Sequence, residues 1–216
     1  MFQPAQPSTQ SKFNKCHDEV IQKLPMCADQ GHLHVAQVQA LLGLNEHFAD
    51  QNKANIALVV LPTGAGKSGV AILTPYVLNS SRVLIITPSV SISTQLHRDM
   101  CGYVPENTFF FRRGLCESKI VHYFTENGLL IDKSLLKKGT IDSMESVVHK
   151  IKQHNLMIAN VHKFGNNTGF DLKSLPSDIF DTVIVDEAHH YPAKTWQTII
   201  DHFVDNKKIF LTATPY

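Results

Sequence analysis

An excess of either charge is missing from this 216-residue chain: 20 Lys+Arg stand against 19 Asp+Glu, a formal net charge of +1. That balance excludes a protein that holds nucleic acid by bulk basicity, so any such contact has to come from a local patch or from backbone amides. The 12 histidines add positive charge only in mildly acidic conditions. Cysteine is scarce too. Cys16, Cys27, Cys101 and Cys116 form no C-x-x-C pair, which points to reduced thiols in an intracellular protein rather than a disulfide framework. Cys16, His17, Cys27, His32 and His34 are metal-ligand types, but their spacing fits no standard zinc pattern. The opening MFQPAQPSTQ has neither the charged start nor the apolar core of a signal peptide. No apolar run approaches membrane-spanning length. The expectation is a soluble, intracellular protein with no membrane partner.

What is present suits one globular domain with a real core, since 43% of the residues are hydrophobic and 18% charged. Residues 1–14 are polar and rich in Pro, Gln and Ser, so they read as a disordered tail before a domain at 15–216. Val35, Val38, Leu41, Leu42 and Phe48 follow a helical stripe. IALVV (56–60) reads as a strand, followed by a helix from near Gly66 that Pro75 should end or kink. RVLIITP (82–88) reads as a strand and 89–100 as a helix, NTFFF (107–111) as a strand, 142–154 as a helix and LMIANV (156–161) as a strand. GNNTG (165–169) is a loop, DTVIVDEA (181–188) a strand running into a loop, and Pro192 opens a helix with Trp196, Ile199, Ile200 and Phe203 on one face. KIFLTA (208–213) is the last strand, and residues 112–139 give no clear pattern. Strands that are continuously apolar and alternate with helices indicate a three-layer α/β domain with a mainly parallel sheet.

Three stretches carry chemistry. LPTGAGKS (61–68) is a glycine-rich turn between a strand and a helix. Such a turn points consecutive N–H groups into one concavity, and the helix N-terminus adds partial positive charge, so it suits a polyphosphate. Lys67 can reach the β- and γ-phosphates and the Ser68 hydroxyl can hold Mg2+. Leu61 stands where the strict pattern has glycine. A bare glycine-rich turn is the alternative, and the position directly after IALVV argues against it. VIVDEAHH (183–190) ends an apolar strand in adjacent carboxylates, at the sheet edge where α/β proteins bind ligands. Asp186 can hold Mg2+ and Glu187 can deprotonate a water. Chance occurrence of D-E-A-H in such a chain is on the order of one in a thousand. LTATP (211–215) is weak alone, but it follows the acidic pair by one helix and one strand.

In this order and spacing the motifs resemble those of the first motor domain of a superfamily 2 helicase or translocase, DEAH-bearing and related to restriction-enzyme motor subunits. The resemblance spans residues 33–216 and implies a RecA-like P-loop NTPase fold. LPTGAGKS stands at motif I, VIVDEAHH at motif II and LTATP at motif III. It implies an ATP and Mg2+ site built from Pro62, Thr63, Gly64, Ala65, Gly66, Lys67 and Ser68. Asp186 with Ser68 would serve the metal, and Lys67, Glu187 and His189 the chemistry. LHVAQVQALLGL (33–44) is similar to the family's opening motif, which places Gln37 near the adenine. IITPSVSISTQ (85–95) and IANVHKF (158–164) are similar to motifs Ia and Ib, making Pro88, Ser89, Gln95 and Asn160 nucleic-acid candidates. Thr212 and Thr214 are candidates for coupling nucleotide state to a second domain.

For the softer motifs the residues leave alternatives open. Ser89, Ser91 and Ser93 can simply cap and open a helix after Pro88, or their hydroxyls can hold the phosphates of a bound strand. Arg112 and Arg113 suit either a nucleic-acid contact or a solvated basic turn, and Trp196 suits a core position better than a stacking platform. The leading expectation is an ATP-driven motor on DNA or RNA, DNA favoured, working with a second motor domain that this chain does not contain. This stretch alone is expected to bind nucleotide weakly and turn it over poorly, and its stop after KIFLTATPY reads as a boundary rather than a natural end. A P-loop NTPase that remodels a substrate other than nucleic acid, and a silent interaction module, are the competing classes.

Overall fold

Continuous apolar runs need cover on both faces, and the chain provides it with helices on either side of a parallel sheet. The computed structural model describes residues 12–102, 104–115, 128–131, 144–160, 175–190 and 193–214. The expectations for Cys116, most of the 112–139 stretch, the first two residues of the 142–154 helix, the 165–169 loop, Pro192, Pro215 and Tyr216 lie outside the described residues. So do those for residues 161–164 and for the side chains of Trp196 and His190.

In chain order the elements are α1 (Lys12–Asp29), α2 (Val35–Ala49), β1 (Ile56–Val60), α3 (Lys67–Val77), β2 (Val83–Thr87), α4 (Val90–Cys101), a 3-10 turn (Pro105–Asn107) and α5 (Phe109–Arg112). Then follow β3 (Gly128–Ile131), α6 (Met144–Lys152), β4 (Leu156–Asn160), β5 (Thr182–Val185), a 3-10 turn (Ala188–His190), α7 (Ala193–His202) and β6 (Lys207–Thr212). The six strands among the described residues lie in the order β1-β6-β5-β2-β4-β3, all parallel.

Side chains alternate across the sheet as strand geometry requires. Ile85, Ile158, Ile184, Ile209 and Leu211 join the core under α1 to α4. Leu84, Ile86, Met157, Val183, Val185 and Phe210 join the core with α6 and α7. β1 is an edge strand, and its Leu58 and Val60 remain exposed.

The structure departs from the pattern reading in four places. Residues 12–14, assigned to the tail by composition, open α1. Its Phe13, Cys16, Val20, Leu24 and Cys27 form a buried stripe, which also places two of the cysteines in the core. Asn14 Nδ2 donates to the Asn79 carbonyl at 2.8 Å, and His17 Nδ1 bonds the Tyr76 carbonyl at 2.8 Å. α1 thus supplies donors to two carbonyls at and just beyond the C-terminal end of α3, the Tyr76 carbonyl also accepting Asn79 N at 3.2 Å.

NTFFF is not a strand. Thr108 caps a single helical turn by accepting from Phe111 N at 3.4 Å. A strand would send Phe109 and Phe110 to opposite faces, whereas here both are buried in one core, with Phe110 edge-on to Tyr76. Pro75, expected to end or kink α3, stands inside it, two residues before its last. The helix runs to Val77 and stops at Asn79, which takes a left-handed φ of +52°, with Ser80 N bonded to the Pro75 carbonyl at 2.9 Å. β3, four residues inside the unclear 112–139 stretch, is the far edge strand, too short to show a period.

Candidate functional site

The six described strands point the same way, so their C-terminal ends form one rim. The order β1-β6-β5 places the phosphate-type loop, LTATP and the acidic pair side by side on it. The neighbouring pair β2 and β4 carries Pro88, Ser89 and Asn160 on the same rim.

The loop after β1 begins at Leu61. This residue is 6% exposed and part of the core, which explains a large apolar side chain where glycine is usual. Leu61 N donates to the Thr212 carbonyl at 2.9 Å, tying the loop to the end of β6. Pro62, Thr63 and Gly64 are exposed, and Ala65 N closes a turn onto the Pro62 carbonyl at 3.0 Å. Gly64 and Gly66 have φ of +85° and +83°, a region that residues with a Cβ enter only at a cost. Gly66 caps α3, whose first turn contains Lys67 and the half-buried Ser68. The helix N-terminus and its amide groups therefore face the loop, the arrangement that favours an anion.

Lys67 is 7% exposed, and its Nζ lies 3.2 Å from Glu187 Oε1 and 3.4 Å from the Leu61 carbonyl. Asp186 extends the β5 ladder, with its N–H on the Ile86 carbonyl at 2.8 Å. Its carboxyl is 3% exposed and is pushed up to about 6, first by burial and then by the charge of Glu187. The Glu187 N–H, 3.0 Å from Asp186 Oδ1, and the Lys67 ammonium oppose that rise. Glu187 holds a φ of +48°, a strained conformation for a side chain of its size. The tight turn this makes lets two adjacent residues present carboxylates toward the same lysine.

His189 stands in the following 3-10 turn, with Nδ1 3.4 Å from Glu187 Oε2 and 3.0 Å from Thr212 Oγ1. The Thr212 hydroxyl donates to the Thr214 carbonyl at 3.0 Å and accepts from Thr214 N at 3.3 Å. A hydroxyl has one proton to give. With that proton on the Thr214 carbonyl, His189 Nδ1 carries the hydrogen toward Thr212. Lys67, Glu187, His189, Thr212 and Thr214 thus follow one another as polar neighbours, with the Glu187–His189 step a 3.4 Å approach that puts no hydrogen bond on Oε2.

Burial, the neighbouring negative charge and the oxygen donors all fit a hard divalent cation at Asp186 and Ser68. Among the described residues no group of three or more His, Cys, Asp or Glu side chains could hold a metal by itself. A cation here would depend on ligand oxygens as well.

The other sequence candidates divide. Gln37 is 2% exposed, and its amide is bonded to the Gly66 carbonyl and the His34 N–H. Ser89 caps α4 by accepting from Ile92 N at 3.3 Å. Ser93 is buried, bonded to Thr87 Oγ1 at 2.5 Å and to the Ser89 carbonyl at 3.1 Å. Ser91 and Gln95 remain on the exposed side of α4 and Pro88 is half-buried, while Asn160 is only 2% exposed. Arg112 Nη2 pairs with the buried Asp99 at 2.6 Å, and Arg113 lies over the Phe109 ring. Pattern reading missed the Gln37–Gly66 contact, although a glycine at position 69, inside a helix, signals a close approach there.

The fold and the family match identify the chain as the first motor domain of a superfamily 2 helicase or translocase. The chain belongs to the family described as type III restriction enzyme, res subunit, whose model matches residues 30–216. It is similar to the Saccharomyces cerevisiae general transcription and DNA repair factor IIH helicase/translocase subunit XPB/SSL2, at 26% identity over 164 residues, covering 75% of this chain and 16% of the yeast protein. The chain therefore spans about a sixth of that relative's length. Among solved structures, T4 UvsW shares the fold with a TM-score of 0.50 at 21% identity, covering 84% of this chain and 30% of that one. A second structure, of the UvsW helicase from bacteriophage T4, gives a TM-score of 0.49 at 20% identity, covering 84% and 52%. No helix among the described residues is long and apolar enough to cross a membrane.

Proposed function

We propose that this domain binds ATP with Mg2+ and couples its hydrolysis to movement along nucleic acid, DNA in preference to RNA, together with a second motor domain of the full-length protein. The observation that carries the reading is the chain of contacts from Lys67 through Glu187 and His189 to Thr212. It links the residue types that phosphoryl transfer needs to the C-terminal end of β6. The yeast relative, named for DNA repair and for helicase/translocase activity, supports the choice of DNA.

Phosphoryl transfer depends on positioning and charge stabilisation rather than covalent chemistry by the protein. The Gly64–Ser68 amides and the α3 N-terminus hold the phosphates. Lys67 exchanges its Glu187 partner for a phosphate oxygen. That frees the Glu187 carboxylate to orient a water and take its proton at Oε1. Asp186 and Ser68 would hold Mg2+, which would supply charge neutralisation at the phosphates. His189, hydrogen-bonded to Thr212, senses the position of Glu187.

The test is ATP hydrolysis by the full-length protein with and without single- and double-stranded DNA and RNA. Stimulation by DNA is expected. Glu187→Gln should retain ATP binding and lose hydrolysis by about a hundredfold or more, the range for losing a general base. No stimulation by any nucleic acid would favour a remodelling NTPase instead, and normal turnover in Glu187→Gln would remove the base from this position.

A further inference from the structure

A net charge of +1 leaves any hold on nucleic acid to a local patch. The flank formed by α4 and α5 carries one. α4 starts at the rim with Ser89 as its cap. Its exposed residues Ser91, Gln95 and Arg98 are spaced i, i+4, i+7, so they form one polar stripe leading away from the rim. Asp99 is the only acid in α4, and it is 3% exposed. The outer face of the helix therefore presents no negative charge of its own.

Arg112, at the end of α5, reaches this buried carboxylate. Its Nη2 lies 2.6 Å from Asp99 Oδ1 and its Nε 3.4 Å from the Thr108 carbonyl, so two contacts fix the guanidinium plane. Half of the side chain is exposed all the same. A guanidinium carries five N–H groups on a rigid fork. Those on Nη1 are left for an acceptor outside the protein. Burial pushes the Asp99 carboxyl above its ordinary range, and Arg112, Arg98 and the Gln95 amide each act against that rise. Arg113 stands over the Phe109 ring, 5.9 Å from its centroid. Arg98, Arg112 and Arg113 thus gather on one flank.

A tie between α4 and α5 is a poor reason for this arrangement. A carboxylate is costly to bury, and an ion pair whose partner is half in water returns little. An arginine held flat with donors to spare suits a phosphate. From Ser91 to Arg98 the stripe covers about 10 Å of helix axis, the rise of about three nucleotides in one strand. Acidic peptide would also suit the arginines. The uncharged Ser91 and Gln95, in line with Pro88 and Ser89 at the rim, instead suit a regular run of phosphates.

We propose that Arg98 and Arg112 form a phosphate-binding flank that carries a nucleic-acid strand from the rim along the outer face of α4, holding its backbone without reading its bases. This rests on the nucleic-acid reading above.

The test is binding of labelled oligothymidylate, and of a DNA duplex, by the full-length protein over a series of KCl concentrations. Arg112→Gln should weaken binding about tenfold, the range for losing a charged hydrogen bond. The slope of log K against log[KCl] should become shallower by about 0.7 on the single strand or about 0.9 on the duplex, the change for one lost phosphate contact. Arg98→Gln, at an exposed position, should flatten the slope in the same way. If Arg112→Gln fails to fold, Asp99→Asn with Arg112→Gln removes the buried charge together with its partner and should show the same change. Lys152→Gln, exposed at the end of α6 where β4 begins, should leave both affinity and slope as in the parent. Unchanged slopes in the arginine variants would make the cluster a tie between α4 and α5 and overturn the proposal. An equal loss in Lys152→Gln would also overturn it, by assigning the effect to overall charge. A parent protein that binds neither DNA would remove the nucleic-acid reading, and this inference with it.

Discussion

Asp186 is held in a surrounding that resists its charge. Its carboxyl titrates near 6 in the folded chain, against 3.8 ordinarily, because it is buried and sits beside Glu187. Between those two values the folded state holds the proton more tightly than the unfolded state. Stability therefore falls as pH rises through this window, and the full penalty, at most about 3 kcal/mol, is present above pH 6. Asn at 186 keeps an oxygen for the Glu187 N–H and removes the charge. In metal-free denaturant unfolding, Asp186→Asn should match the parent near pH 4 and exceed its stability at pH 7 to 8. A difference independent of pH would rule out this account. The same penalty is what a bound cation would relieve, so burial of Asp186 makes the site weak without metal and receptive to it. Much of this was legible beforehand: Lys67, Ser68, Asp186 and Glu187 are identified by type, spacing and position after apolar strands. The left-handed turn at Glu187 and the inward-facing amide of Gln37 were not. They depend on residues distant in sequence, and a period or a motif carries no record of such contacts.

At the level of elements, α1 shows how a helix outside any motif can bear on the site. It precedes the 30–216 stretch that matches the family, yet Phe13 is fully buried edge-on to Tyr76, with ring centroids 4.9 Å apart. Tyr76 lies near the far end of the helix whose first turn follows the phosphate loop. Phe13→Ala should cost about 3–5 kcal/mol in denaturant unfolding, the range for emptying a buried aromatic site. Val204→Ala, at a position 63% exposed, should stay within about 0.5 kcal/mol. A small effect at Phe13 would mean that α1 is only loosely held. The stripe of Phe13, Cys16, Val20, Leu24 and Cys27 is present in the sequence at helical spacing. It was obscured by the polar residues before it and by Pro25 within it. NTFFF misleads for a related reason: aromatics favour strands on average, but Thr108 and the pocket beside Tyr76 favour one helical turn here. The long apolar strands, by contrast, read correctly because burial on both faces leaves them little freedom of composition.

At the scale of the whole molecule, the sheet order turns three distant motifs into one unit, and Thr212 is where they meet. Its carbonyl accepts the Leu61 N–H at the start of the phosphate loop, and its hydroxyl bonds His189 beside the acidic pair. Thr214 contributes to this junction through its backbone N–H and carbonyl. The two threonines, equivalent candidates by sequence, therefore separate: replacing the Thr214 side chain should matter little, whereas the Thr212 hydroxyl is a contact in its own right. Thr212→Val keeps the shape and the carbonyl while removing that hydroxyl, leaving His189 Nδ1 without its partner there. If the junction transmits nucleotide state, ATP affinity of the full-length protein should stay within about threefold. DNA-stimulated turnover should fall by about tenfold, and unstimulated turnover much less, since a lost buried hydrogen bond of about 1–2 kcal/mol would then act on coupling alone. Equal loss of both rates would assign Thr212 to the chemistry, and no loss of either would leave the hydroxyl a purely structural tie between β6 and the turn after β5.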